Sequence, residues 1–368
     1  MSASDRFRPW IALGWTSLGA IVVFVGLALG VLLFSGGAAS WPPLDYVTGV
    51  AAFTLFQALL STVLSVVLAL PVALAMGRRT AFWGRSLCVA LMLLPLGLPV
   101  LPAVFGLVEI WGRQGVINDL LHAAGIDHGF SIYGLGGILL GHVFFNLPLA
   151  ARLMLRALEQ VPRKEWRLAA SLGFNRLQVF RFVEWPALAR VIPGAAGLIL
   201  MLCVTSFTIV LTLGGGPQTS TLEVAIYQAL KFDYDPSRAL TLSGLQLALT
   251  LMVFGFLRMF PDPEISRSGD RGVAFRSDGR GAGARILDAG VSVVFLLFVG
   301  APLLAVVAAG LGADFDHLLA EPLFWKALAT SGEIASASGL LAVVATVLLV
   351  RARFETRSAW QAGLLRLP

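Results

Sequence analysis

Apolar residues run through this chain in eight long blocks separated by short polar segments. Windows of about 20 apolar residues, the length that crosses a bilayer as a helix, place them at roughly residues 11–34, 47–76, 86–107, 135–155, 191–213, 239–260, 286–311 and 327–350. The pattern predicts an all-α, polytopic membrane protein of about eight transmembrane helices. Several blocks carry helix breakers. The third contains Pro95, Gly97, Pro99 and Pro102, and the fourth passes through Asn146 and Pro148. Freed backbone groups are tolerated at membrane depth where neighbouring protein or a water-filled path satisfies them, so these positions suit either a translocation path or packed kinks.

Composition agrees with the pattern. Hydrophobic residues make up 57% and charged residues 13% of the chain, with mean hydropathy +0.84, and a soluble chain would carry about twice that charged fraction. The net charge of +6 comes from basic residues strung between apolar blocks, which points away from a nucleic-acid partner and toward membrane topology. With the N-terminus in the cytoplasm, every Lys and Arg falls on the inside except Arg113, Lys231, Arg238 and Lys326. The first block, some 24 residues, is too long for a secretory h-region and is expected to remain as an anchor. Cys88 and Cys203 each lie within an apolar block, so neither a disulfide framework nor a metal site is expected.

Three segments interrupt the apolar blocks. Residues 261–285, rich in Gly, Arg, Asp and Ser, read as a cytoplasmic linker. They divide the chain into a first module, 1–260, and a segment, 286–368, that repeats its opening: Thr330, Ser331 and Ser336 with Arg351 and Arg353 echo Thr54, Ser61 and Thr62 with Arg78 and Arg79. On this reading the chain holds two spans of a second module and is expected to be truncated relative to its family. The second segment, 213–240, carries a Gly-rich run without the Lys-Ser/Thr pair of a phosphate loop, so ATP is not expected to bind there.

The third segment, Val161 to Pro186, is the most informative. Arg163, Lys164, Arg167, Arg176 and Arg181 make it basic, and its periodicity predicts two short amphipathic helices, 163–172 and 176–183, hinged on a left-handed Gly173. Pro186 is expected to push Trp185 out of helical geometry and so to separate the second helix from the next apolar block. With Gly173 as anchor, Val183 and Pro186 follow ten and thirteen residues later, and Ala169 and Ala170 precede it. This spacing resembles the EAA loop of membrane subunits of binding-protein-dependent ABC importers. The chain departs from that pattern at Arg167, where the family has glutamate; the nearest acid, Glu165, is two residues early. LGGGPQTSTLEVAIYQAL, with SFTIVL before it and HVFFNLPLA in the fourth block, resembles bacterial thiamine permeases across roughly residues 45–260; permeases for sulfate and ferric iron have related loops.

The resemblance implies a permease in the bacterial inner membrane. It would be served by an outside binding protein and a separate ABC ATPase gripping Glu165, Arg167, Ala169, Ala170, Gly173, Val183 and Pro186. Membrane lipid and a second permease copy are further partners this reading admits; no cofactor or metal enters it. Candidate path or binding-protein contacts are His142 and Asn146, four apart on one helix face, and Glu223, Tyr227, Asp233 and Asp235 in the outer loop. Gln57 and Glu333 are further intramembrane polar residues, and helix-bridging hydrogen bonds are the simpler role for all four intramembrane groups. No catalytic constellation is found: the four histidines are scattered, and neither HExxH nor GxSxG occurs. Two other classes remain open, an ion-coupled secondary transporter and a structural membrane subunit without a path.

Overall fold

The structure is a computed structural model that describes residues 9–35, 42–79, 82, 84–93, 97–126, 131–216, 219–257 and 281–355. Among these residues there is no strand, and eight stretches are long and apolar enough to cross a membrane. The helices are α1 (Pro9–Ser35), α2 (Leu44–Arg78), α3 (Arg85–Leu91), α4 (Val100–Trp111), α5 (Val116–Ala123) and α6 (Leu135–Glu159). They continue with α7 (Arg163–Ser171), α8 (Arg176–Val179), a π-turn (Phe180–Glu184), α9 (Trp185–Val204), α10 (Thr208–Leu213), α11 (Leu222–Lys231) and α12 (Pro236–Leu257). The last three are α13 (Ala282–Leu311), α14 (Phe315–Ala320) and α15 (Pro322–Glu355).

Packing separates the chain into two units, one formed by α1, α14 and α15, the other by α2 to α13. In the first, α1 lies along α15 at a close approach where a Cβ on Gly14 would sit 2.2 Å from that of Ala352. The Arg351 guanidinium covers the Trp10 ring at 4.9 Å. Most of α15 is exposed, Glu333 included.

The second unit is built on α2 and α6. The buried side of α2 is lined by small residues, Ala58, Ser61, Thr62, Ser65, Ala69 and Ala73, which let a neighbouring backbone come close. Thr54, Thr62 and Ser65 donate to carbonyls four residues back at 2.7 Å, so each hydroxyl proton is used within its own helix, while Thr54 Oγ1 also accepts from Leu222 N–H of α11 at 3.0 Å. Packed on α2 and α4 is α13, although it follows the linker in the chain. Residues 258–280, most of the expected linker, lie outside the described residues; its end, from Ala282, is the first turn of α13.

Gly106 of α4 marks the tightest contact with α13. A Cβ there would lie 2.2 Å from the Pro302 carbonyl oxygen and 2.7 Å from Val306 Cγ2. Gly106→Ala is therefore expected to destabilise the unit by about 1–3 kcal/mol, because backbone must move to admit the methyl. Gly300→Ala, which meets nothing within 4 Å, should leave thermal unfolding of the detergent-solubilised chain unchanged when both are followed by circular dichroism.

Two expected spans are corrected. Residues 86–107 do not form one helix: α3 ends at Leu91 and α4 starts at Val100, after Pro99 in an extended conformation. Pro102 falls in the first turn of α4, where a missing N–H costs nothing. The third candidate span becomes Val100–Ala123, made of α4 and α5 joined by a turn that Asn118 Nδ2 ties to the Gly112 carbonyl at 2.7 Å. Residues 191–213 are likewise interrupted between Val204 and Thr208. The carbonyls freed there are held by amides from other helices: Gln57 Nε2 donates to Cys203 O at 3.1 Å and Gln246 Nε2 to Val204 O at 3.2 Å.

Candidate functional site

The segment from Val161 to Pro186 folds on itself. Trp166 and Ala169 of α7 are buried against Val179 and Val183, with Val161 and Phe174 closing a small core of their own. The turn between α7 and α8 is a Schellman motif. Gly173 takes φ +67°, its N–H donates to Ala170 O at 3.2 Å, and Phe174 N–H donates to Ala169 O at 3.0 Å. This is the left-handed hinge expected from the sequence. Asn175 then starts α8 with a reciprocal cap: its Oδ1 accepts from Gln178 N–H at 2.9 Å while its own N–H donates to Gln178 Oε1 at 2.8 Å. Asn175→Ala should weaken this helix start by about 1 kcal/mol, read as roughly fivefold faster amide exchange at residues 176–179.

One expectation fails. Trp185 is helical at φ −60° and ψ −44°, and α8, the π-turn and α9 run on without separation. The wide turn absorbs the proline: Trp185 N–H bonds to Phe180 O, five residues back, so the backbone has already opened where the Pro186 ring enters.

Placement divides the loop residues by role. Ala169 and Val183 are buried in the loop's own core and Ala170 is partly buried, whereas Glu165, Arg167, Gly173 and Pro186 are exposed. The exposed surface also carries Leu168, Leu172, Leu177 and Phe182 beside Lys164, Arg176 and Arg181. Large apolar side chains among basic ones form an exposed mixed patch of the kind that interaction surfaces carry.

A second polar cluster lies inside the bundle. His142 and Asn146 share the buried face of α6; His142 Nδ1 is 2.9 Å from Ser61 Oγ, and Asn146 Nδ2 donates to Cys203 Sγ at 3.3 Å. These are the helix-bridging bonds that the sequence allows. Both residues also line a cavity of about 420 Å³ at the α9–α10 break, together with Thr205, Ser206, Phe207 and Phe145. A larger cavity of about 810 Å³ between α2, α6 and α13 is walled by Leu, Ile, Val, Phe, Pro and Gly, and offers nothing to recognise a polar solute.

The candidates in the segment that follows α10 have structural partners. Asp235 caps α12 by accepting from Arg238 N–H at 2.9 Å, and Asp233 pairs with Arg238 Nη1 at 2.9 Å. Arg238 also lies over the Tyr46 ring at 4.5 Å. Glu223 accepts from Gln246 Nε2 at 3.1 Å; burial raises its carboxyl above the usual glutamate range, opposed by that hydrogen bond. Tyr227 stacks edge-on against Phe207 at 5.2 Å, and so joins that segment to the cavity wall. Sequence reasoning passed over Thr205, Ser206, Phe207 and Gln246; the available signal was the Thr-Ser-Phe-Thr run at residues 205–208 breaking an apolar block. It also missed Asp288, which pairs with Arg78 and Arg79 at the end of α2. No group of three or more His, Cys, Asp or Glu that could hold a metal occurs among the described residues.

Comparison with known proteins places this geometry. The solved structure of a bacterial alginate ABC transporter, in complex with an alginate pentasaccharide-bound periplasmic protein, shares the fold with TM-score 0.54. The match is 15% identical and covers 68% of this chain and 94% of that one. The thiamine transport system permease protein of Brucella abortus (strain 2308) is 43% identical over 361 residues, 97% of this chain and 66% of the relative. That of Escherichia coli (strain K12) is 43% identical over 364 residues, 96% of this chain and 67% of the relative. The chain thus spans about two thirds of the length of these curated relatives. Residues 47–260, which take in the loop, the cavity and the α9–α10 break, match the family of binding-protein-dependent transport system inner membrane components, and the chain belongs to it.

Proposed function

We propose that the chain is a permease of an ATP-driven importer for thiamine or its phosphates, coupling nucleotide hydrolysis on a separate ATPase to passage of the solute through the bilayer. The observation that carries this reading is the 43% identity over 97% of the chain to a thiamine permease. The folded loop 161–186 supports the coupling role. Its Schellman turn and private core make a rigid knob with an apolar and basic outer face, and a rigid knob can transmit a push from an ATPase. Glu165, Arg167, Gly173 and Pro186 are its outward contacts, while Ala169, Ala170 and Val183 hold its shape.

In this reading the N-terminus is cytoplasmic, consistent with the inside bias of Lys and Arg, and a periplasmic binding protein delivers the solute. Residues 1–260 form a first permease module, 261–285 a linker, and 286–368 belong to a second module. The permease performs no bond chemistry; its part is to bias two conformations for which nucleotide and solute have different affinities. Labelled thiamine should accumulate in cells lacking their own uptake system once the importer is supplied complete. Accumulation of sulfate or ferric iron in its place would move the protein to another solute class.

A further inference from the structure

The cavity at the α9–α10 break combines three features that a structural gap would not need. The first is a buried polar atom without a protein partner among the described residues. His142 is 1% exposed and its Nδ1 faces Ser61, yet Nε2 is unbonded. Leaving such a nitrogen unmatched costs about 1–3 kcal/mol, which a ligand with a hydrogen-bonding edge would offset. The second is an aromatic series that reaches the surface. Phe207, on the cavity wall, meets Tyr227 edge-to-face at 5.2 Å, and Tyr227 meets Phe232 at 5.8 Å, with Phe232 65% exposed at the end of α11. The third is the electrostatics. No charged side chain lines the cavity among the described residues, and helix ends of both signs adjoin it, the C-terminal end of the 20-residue helix α9 through Thr205 and Ser206 and the N-terminal ends of α4 and α10 through Val100 and Thr208, so no anionic or cationic group dominates the wall.

A wall without Lys or Arg gives an oxyanion no cation to pair with, and a wall without carboxylates gives a metal ion no anionic ligand. Ring faces in a wall free of fixed charge suit a flat organic cation, whose charge is spread and weakly hydrated. At about 420 Å³ the space falls within the range of small-molecule sites.

We propose that this cavity is a transient binding site for a heteroaromatic cation inside the bilayer, approached along Phe232, Tyr227 and Phe207 and read at one edge by His142 Nε2. The proposal rests on the thiamine reading, for thiamine joins a thiazolium cation to an aminopyrimidine with a hydrogen-bonding edge. It adds where in the membrane the solute pauses and which property selects it there.

The test compares thiamine with its uncharged thiophene-ring analogue, which keeps the shape and loses the charge. Uptake KM for each is measured with the complete importer in proteoliposomes. Wild type should favour thiamine about tenfold. Phe207→Leu and Tyr227→Leu should bring that ratio close to unity, and Tyr227→Phe should preserve it. His142→Phe should raise KM for both compounds by roughly tenfold with their ratio intact, since it removes a hydrogen bond and leaves the aromatic series. The ratio within one variant does not depend on how much importer folds, and Phe232→Leu, at an exposed position, gives a version of the test free of core damage. An unchanged ratio in Phe207→Leu, Tyr227→Leu and Phe232→Leu would overturn the cavity proposal and leave the thiamine function standing. Wild-type importer that carries another solute and no thiamine would overturn the function and the cavity proposal with it.

Discussion

Gly173→Val should uncouple the transporter, reducing solute-stimulated ATP hydrolysis to its unstimulated level while the chain still inserts in the membrane. The glycine sits at φ +67°, and nothing lies within 4 Å of where its Cβ would be. Space is therefore not the obstacle. A β-branched residue in the left-handed region carries backbone strain of about 1–3 kcal/mol, which the loop relieves by leaving that conformation. Both Schellman bonds then go, and Phe174 is no longer held beside Trp166, Ala169, Val179 and Val183. Because the outer face of the knob is defined by that small core, stimulation should fall by roughly tenfold or more, the factor that such a strain energy represents. Gly173→Asn, whose side chain tolerates the same backbone, should retain most of it. Wild-type stimulation in a purified Gly173→Val complex would remove the loop from the coupling mechanism.

Loss of the Asp288 carboxylate should cost the second unit more stability than any other single change considered. Arg78 binds it through two nitrogens, Nη2 at 2.7 Å and Nε at 3.1 Å from Oδ1, and Arg79 Nε binds Oδ2 at 3.1 Å. Arg78 and Asp288 are 5% and 1% exposed. With Asp288→Ala two guanidinium groups at the start of α13 lose their counter-charge, and breaking a buried pair from one side costs about 3–5 kcal/mol. Thermal unfolding in detergent should show this as a large drop in midpoint. The double change Arg78→Met with Asp288→Leu should recover much of it, since it removes both partners of the tightest pair, though Arg79 stays unmatched. A single change as stable as wild type would mean that the pair is solvated and holds nothing.

The two effects differ in how visible they were beforehand. Gly173 could be found in the sequence because the signal is local: a glycine between two amphipathic stretches, followed by Asn175 and Gln178 at cap spacing. The Arg78–Asp288 pair spans 210 positions across a linker, and no periodicity connects its ends. The apolar blocks likewise revealed the all-α membrane class, because the need to satisfy backbone groups in hydrocarbon leaves few solutions and every residue of a block reports it. Family membership was legible for a similar reason, since the loop pattern lies within 26 consecutive residues, Val161 to Pro186.

Tertiary structure decided what depends on partners distant in the chain. Hydropathy cannot see that residues 191–213 break at Thr205, because the break is held open by Gln57 and Gln246, residues that arrive from α2 and α12 to bind its carbonyls. Nor could it see that Pro186 continues a helix, which required a wide turn whose hydrogen bond skips one residue further back. For His142 and Asn146, their shared face followed from a spacing of four. That one nitrogen of His142 faces a serine and the other has no partner, at the edge of a cavity reached by an aromatic series, is a matter of packing among four helices. Local geometry is encoded by residues next to one another, and the sequence determined it; the cavity and the ion pair exist only once hydrophobic packing has brought remote segments within hydrogen-bond range.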